Sequence, residues 1–179
     1  MEKKVLVIST SLRFGSNSEL LADAFCKGAA DSGAIVEKIT LRDKHLEFCK
    51  GCLACTKTNH CIISDDAAPI IAKMKEADIL VFATPIYYYG MSGQMKTLLD
   101  RANPLYTSDY SFRKAYFLAA AAEEEESTMK RALQGFEGWL ACFPKCHLSA
   151  SLFAGGVNVP HDIDGHKTLQ EAYELGRSV

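Results

Sequence analysis

The 179-residue sequence lacks any apolar run near the roughly 20 residues that a membrane-spanning helix needs. It also lacks an excess of either charge. Twenty basic and 22 acidic side chains leave a formal net charge of −2, which argues against a surface built to neutralise nucleic-acid phosphates. The first apolar stretch, Val5-Leu6-Val7-Ile8, stops after four residues, whereas a secretory signal core needs about 7–15. A buried first strand in a cytoplasmic protein is therefore expected. No internal repeat, low-complexity linker, Ser-His-Asp order or paired-carboxylate arrangement is present. What remains is an ordinary globular mix, 48% hydrophobic and 23% charged, long enough to bury roughly two-thirds of its unfolded surface without covalent staples.

Strand-length apolar runs alternate with segments of helical period. Lys4 to Thr10 is nearly continuous and β-branched, as in a strand covered on both faces. Residues 18–32 carry Leu20, Leu21, Ala24, Phe25 and Ala29 on one helical face and end at Gly33. Residues 35–41 alternate more, closer to an edge strand. Further strands are expected over 77–84, stopped by Pro85, then over 115–120 and 147–153. Helices are expected at about 65–75, capped by Asp65-Asp66, and at 92–102, 127–143 and 168–176. Five strands each followed by a helix imply an α/β fold, a doubly wound parallel sheet in one domain spanning 1–179. Its one irregular segment is a cysteine-rich loop over about 42–64.

In such folds ligands sit beyond the carboxyl ends of the strands. After the first strand, Ser9-Thr10-Ser11-Leu12-Arg13-Phe14-Gly15-Ser16-Asn17-Ser18 leads into a helix. Hydroxyls, one arginine and the free N–H groups of a helix start suit a phosphate. The pattern is neither Walker A nor Gly-x-Gly-x-x-Gly, so a single phosphate monoester is indicated. N-capping alone accounts for one or two of these residues. After the third strand, Pro85-Ile86-Tyr87-Tyr88-Tyr89-Gly90 suits a loop presenting aromatic edges and backbone amides to a flat ring, or a contact between subunits. Glu123 to Glu126 reads as a solvated acidic helix start. Trp139, in an apolar helix, reads as core.

Of seven cysteines, four crowd into Cys49, Cys52, Cys55 and Cys61. The spacing Cys-x2-Cys-x2-Cys-x5-Cys is the compact kind that iron–sulfur clusters use. Structural zinc more often takes two separated pairs. Three readings stay open: a cluster, zinc, or free thiols. Cys26, Cys142 and Cys146 read as small core residues.

Ser11-Leu12-Arg13, Ser16-Asn17-Ser18, Pro85-Ile86-Tyr87-Tyr88, Gly93-Gln94-Met95-Lys96 with Leu99-Asp100-Arg101, and Ala154-Gly155-Gly156-Val157 together resemble the NADPH-dependent FMN reductase family. The resemblance implies a flavodoxin-like three-layer sandwich, strand order 2-1-3-4-5, with noncovalent FMN and NAD(P)H as co-substrate. By position, Ser11, Arg13, Ser16, Asn17 and Ser18 would hold the phosphate, and Pro85, Ile86, Tyr87, Tyr88, Tyr89 and Gly90 would flank the isoalloxazine. It further implies a homodimer or homotetramer and a small acceptor: a flavin, quinone, nitro or azo compound, or metal ion. Leu12 departs from the proline that relatives commonly carry. The cysteine loop resembles the iron–sulfur flavoproteins of the same superfamily, implying a 4Fe–4S cluster exchanging electrons with FMN, with ferredoxin as donor. A flavin-free interaction module on the same fold is the remaining alternative.

Overall fold

Val5, Leu6, Val7 and Ile8 are each no more than 2% exposed, the burial that an uninterrupted aliphatic run demands. Their side chains alternate between two cores. Leu6 and Ile8, with Leu80 and Phe82, join one cluster. Val5 and Val7, with Ile79 and Val81, join the other. The sheet thus carries helices on both faces.

The computed structural model describes residues 2–179. Its strands are β1 (Lys4–Ser9), β2 (Ile35–Thr40), β3 (Ile79–Tyr87), β4 (Gly90–Met91), β5 (Lys114–Ala120) and β6 (His147–Ala154). Its α-helices are α1 (Asn17–Asp31), α2 (Cys55–Thr58), α3 (Ala67–Glu76), α4 (Gly93–Arg101), α5 (Lys130–Leu140) and α6 (Lys167–Arg177). The parallel order is β2-β1-β3-β5-β6, with short β4 pairing antiparallel to β3. That is the flavodoxin-like order expected, plus one short strand. α1 and α6 cover one face, and α3, α4 and α5 the other. α1 and α6 meet at glycines: a Cβ on Gly28 would lie 1.9 Å from the Tyr173 carbonyl oxygen, and one on Gly176 would lie 2.2 Å from that of Phe25.

Several boundaries differ from those expected. β3 does not stop at Pro85; it runs to Tyr87, with Pro85 opposite Ala120 of β5. The Ala83 carbonyl accepts from Thr10 N–H, so residue 85, two positions on, faces the side where β1 has already ended. The missing proline N–H therefore interrupts no ladder bond. The helix expected at 127–143 divides into a 3₁₀ turn, Glu126–Met129, and α5. Asp66 sits at the cap of α3 but makes no side-chain cap bond. Its carboxylate accepts from His45 N–H instead, while Asp65 accepts from Ala67 N–H.

The three cysteines read as core are not fully buried. Cys26 and Cys146 are partly exposed, and Cys142, in the turn after α5, is exposed. Burial pushes the Cys26 and Cys146 thiols up to about 11. Trp139 is half-buried and stacks on Phe136 at 5.9 Å.

Candidate functional site

The carboxyl ends of β1, β3 and β5 frame a cleft of about 220 Å³. Ser16 caps α1, its Oγ accepting from Glu19 N–H at 3.2 Å. The N–H groups of Asn17 and Ser18 have no intrahelical acceptor, as at any helix start. Ser18 is 1% exposed, and its Oγ is buried without a hydrogen-bond partner. A buried hydroxyl left unpaired costs about 1–3 kcal/mol, and Ser18 lines the cleft, so a ligand there would meet a free donor. Ser11 accepts from Arg13 N–H at 3.2 Å, shaping the turn.

A return loop after β6 straps this segment down. Arg13 Nη1 donates to the Asn158 carbonyl at 2.9 Å, and Asn17 Nδ2 donates to that of Val159 at 3.0 Å. Asn17 Oδ1 accepts from Ile163 N–H at 3.2 Å. Gly15 has φ +59, backbone that favours glycine, and a Cβ there would lie 2.5 Å from His161 Nε2 and push that ring aside. Arg42 seals the outer side. It pairs with Glu19, donates to the Arg13 carbonyl at 3.0 Å and stacks 3.9 Å over Phe14.

Beneath the cleft, buried hydroxyls tie β1 to β3. Thr10 Oγ1 donates to the Ala83 carbonyl at 3.1 Å, and Ser92 N–H donates to Thr84 Oγ1 at 3.0 Å. The far wall carries the small side chains of Ala120, Ala121 and Ala122.

Of the residues singled out in the sequence, Ser11, Arg13, Ser16, Asn17, Ser18, Pro85, Ile86 and Tyr87 all line this cleft. Tyr88, Tyr89 and Gly90 do not. Tyr88 and Tyr89 are the tip of the β3–β4 hairpin, at φ 49 and 64, with Tyr88 fully exposed. Glu123 to Glu126 are exposed and stay outside the cleft, as a solvated acidic segment should. Asn158 and Pro160 were not anticipated; no local motif marks them.

A larger groove of about 810 Å³ lies along β6 between α5 and α6. Its wall mixes Glu124, Glu126 and Glu171 with Lys130 and Lys167, and those carboxylates oppose an anionic ligand. The smaller cleft, lined by Arg13 and the start of α1, carries no carboxylate in its wall.

The four clustered cysteines line a separate cavity of about 330 Å³ with Arg101 and Asn103. Cys49 and Cys52 are exposed, Cys61 is partly exposed and Cys55 is buried. Among the described residues, no three His, Cys, Asp or Glu side chains converge to hold a single metal ion. Tetrahedral zinc, with Zn–S about 2.3 Å, needs such convergence. A four-iron cluster spaces its thiolates more widely, and four thiols around one cavity are the donor set it takes.

A family model described as NADPH-dependent FMN reductase matches residues 3–156. The chain belongs to that family. It is similar to an iron–sulfur flavoprotein of Methanocaldococcus jannaschii, 42% identical over 102 residues, or 57% of this chain and 53% of that protein. The match thus spans about half of that relative's length. An iron–sulfur flavoprotein of Methanosarcina thermophila is 25% identical over 172 residues, 94% of this chain and 90% of that one. In fold, the chain is similar to an NAD(P)H:quinone oxidoreductase from Methanothermobacter marburgensis, with TM-score 0.76 and 19% identity over 99% and 97% of the two chains. FMN is the cofactor that membership of the FMN reductase family implies. The lining of the cleft suits its phosphate: an orphaned buried hydroxyl, a helix N-terminus and an arginine.

Proposed function

We propose that the protein is an FMN-dependent oxidoreductase, taking reducing equivalents from NAD(P)H and passing them to a small acceptor such as a flavin, quinone, nitro or azo compound, or metal ion. The unpaired Ser18 Oγ at the start of α1 carries this reading. When bound, FMN supplies the hydride and electron chemistry. The chain's own residues bind and orient. Ser16, Asn17 and Ser18 would hold the phosphate through backbone N–H and hydroxyl donors, with Arg13 neutralising it. Pro85, Ile86 and Tyr87 on one side and Ala120 to Ala122 on the other would seat the ring. At about 220 Å³ the cleft is smaller than the roughly 300–1,000 Å³ of enclosing ligand pockets. Part of a bound flavin would stay open for a nicotinamide to dock. Among the described residues no helix is long and apolar enough to cross a membrane, and the exposed Tyr88–Tyr89 hairpin is an expected contact in a homodimer or homotetramer.

The test is anaerobic mixing of FMN-loaded protein with NADPH or NADH. Rapid bleaching of the flavin absorbance is expected; an unbleached flavin with both nucleotides would contradict the reading.

A second reading, an electron-transfer iron–sulfur flavoprotein fed by ferredoxin, is favoured by one observation. Cys49, Cys52, Cys55 and Cys61 all border a single cavity. Their thiolates would hold the cluster, which supplies one-electron chemistry when bound. Protein kept anaerobic from lysis, assayed for iron and sulfide, distinguishes the readings: a flavin-only spectrum would sink this one.

A further inference from the structure

The carboxyl end of α4 closes the cysteine loop from inside the molecule. Arg101 is 1% exposed. Its Nη1 donates to the Glu47 carbonyl at 2.8 Å and its Nη2 to the Ile63 carbonyl at 3.2 Å, while both nitrogens bond the Asp65 carboxylate. Glu47 precedes Cys49 and Ile63 follows Cys61, so one guanidinium grips both ends of the loop. Two residues further on, Asn103 Nδ2 donates to Cys55 Sγ at 2.9 Å.

Arg101 also lines the cysteine cavity, and its Nε–H is buried with no partner. Cys61 is a second sulfur at this wall. One buried donor here, Arg101 Nε–H, has no acceptor in the chain. That is the arrangement of a wall facing negative sulfur.

The opposite end of α4 begins at Ser92, whose hydroxyl bonds Thr10 beneath the flavin cleft. A nine-residue helix about 13 Å long thus links the cysteine cavity at one end to the turn after β1 at the other.

We propose that Arg101 and Asn103 are positioning residues for a cluster held by Cys49, Cys52, Cys55 and Cys61: Arg101 clasps the loop, and Asn103 donates to a ligand sulfur and so raises the reduction potential. This rests on the iron–sulfur reading above. Reduction adds one electron, delivered by ferredoxin in that reading and by a chemical reductant in the test, with no proton required. The added negative charge spreads onto the sulfurs. A donor N–H stabilises the reduced form more than the oxidised one, and hydrogen bonds to sulfur are among the factors that set cluster potentials.

The experiment uses the full chain, reconstituted anaerobically with iron and sulfide, as wild type, Asn103→Ala, Asn103→Asp and Arg101→Lys. Iron per chain is counted, iron retention against a chelator is followed, and the midpoint potential is read by mediated titration of the EPR signal. Asn103→Ala is expected to load a full cluster and to shift the reduction equilibrium about tenfold toward the oxidised form, about 59 mV for one electron. Asn103→Asp, which adds charge and removes the donor, should shift it further. Arg101→Lys keeps a charge but cannot span Glu47, Ile63 and Asp65, and should lose iron to the chelator several-fold faster.

Full loading with equal potentials, or equal retention in Arg101→Lys, overturns the corresponding role while leaving the iron–sulfur reading standing. A wild type that takes up no iron overturns that reading and this proposal with it. Asn103 variants with native far-UV circular dichroism but no iron would show that Asn103 does not act by setting the potential.

Discussion

Ser92 donates its hydroxyl to Thr10 Oγ1 at 2.9 Å, with both residues fully buried. The same Ser92 Oγ caps α4 by accepting from Met95 N–H at 3.3 Å. A single side chain thus fixes the loop after β1 to the start of α4, and the turn proposed to bind phosphate is anchored through that bond.

Ser92→Ala should cost about 1–2 kcal/mol, the usual loss of an N-cap, read from the urea midpoint. FMN affinity should fall as well, because the turn beginning at Ser11 is released. Ser92→Thr should retain most of the stability. An alanine variant as stable as wild type would remove this bond from the account.

Asp65 is the buried partner of Arg101, the two side chains 1% and 0% exposed. Burial works to raise its carboxyl, but the Arg101 hydrogen bond, with the N–H groups of Glu47 and Ala67, overrides it and holds the pKa below the ordinary 3.8. The unfolded chain therefore takes up this proton first as pH falls. The stabilisation is complete above the unfolded value and is lost below it, as pH drops through the folded one. Asp65→Asn should cost about 3–5 kcal/mol near neutral pH by leaving a buried guanidinium unpaired. It should also flatten the pH dependence of the denaturation midpoint below about pH 4. A variant as steep as wild type in that window would contradict the assignment.

Tyr88 and Tyr89 occupy a two-residue hairpin turn with both φ values positive, where Asn-Gly is the usual solution. Left-handed backbone at a bulky residue costs roughly 1–2 kcal/mol. Because Tyr88 is fully exposed in the single chain, Tyr88→Asn should raise the melting temperature of the flavin-free monomer, diluted until it dissociates, by about 2–4 °C, while weakening association of the subunits. A variant that associates as tightly as wild type would remove the hairpin from the subunit contact.

What could be read from the sequence was what is local. The β1 run, the hydroxyl-rich turn and the α1 start lie within one short segment, so periodicity and capping chemistry reach them directly. The strap does not. Arg13, Asn17 and their partners Asn158, Val159 and Ile163 are 142 to 146 residues apart, and nothing near either end announces the pairing. Asp65 was legible only as a helix cap, because its true partner lies 36 positions away on another helix. The β4 hairpin was missed because Tyr-Tyr carries no turn signal. Pro85 misled in the other direction: proline ends a strand only where its N–H is needed.

The phosphate site proposed at the start of α1 can be probed by titrating the flavin-free protein with FMN and with riboflavin, in wild type and in Ser18→Ala, following flavin fluorescence. FMN should bind wild type far more tightly than riboflavin. Ser18→Ala should weaken FMN by about tenfold, the worth of one hydrogen bond to a charged group, and leave riboflavin nearly unchanged. Equal affinity of wild type for the two flavins would contradict the account.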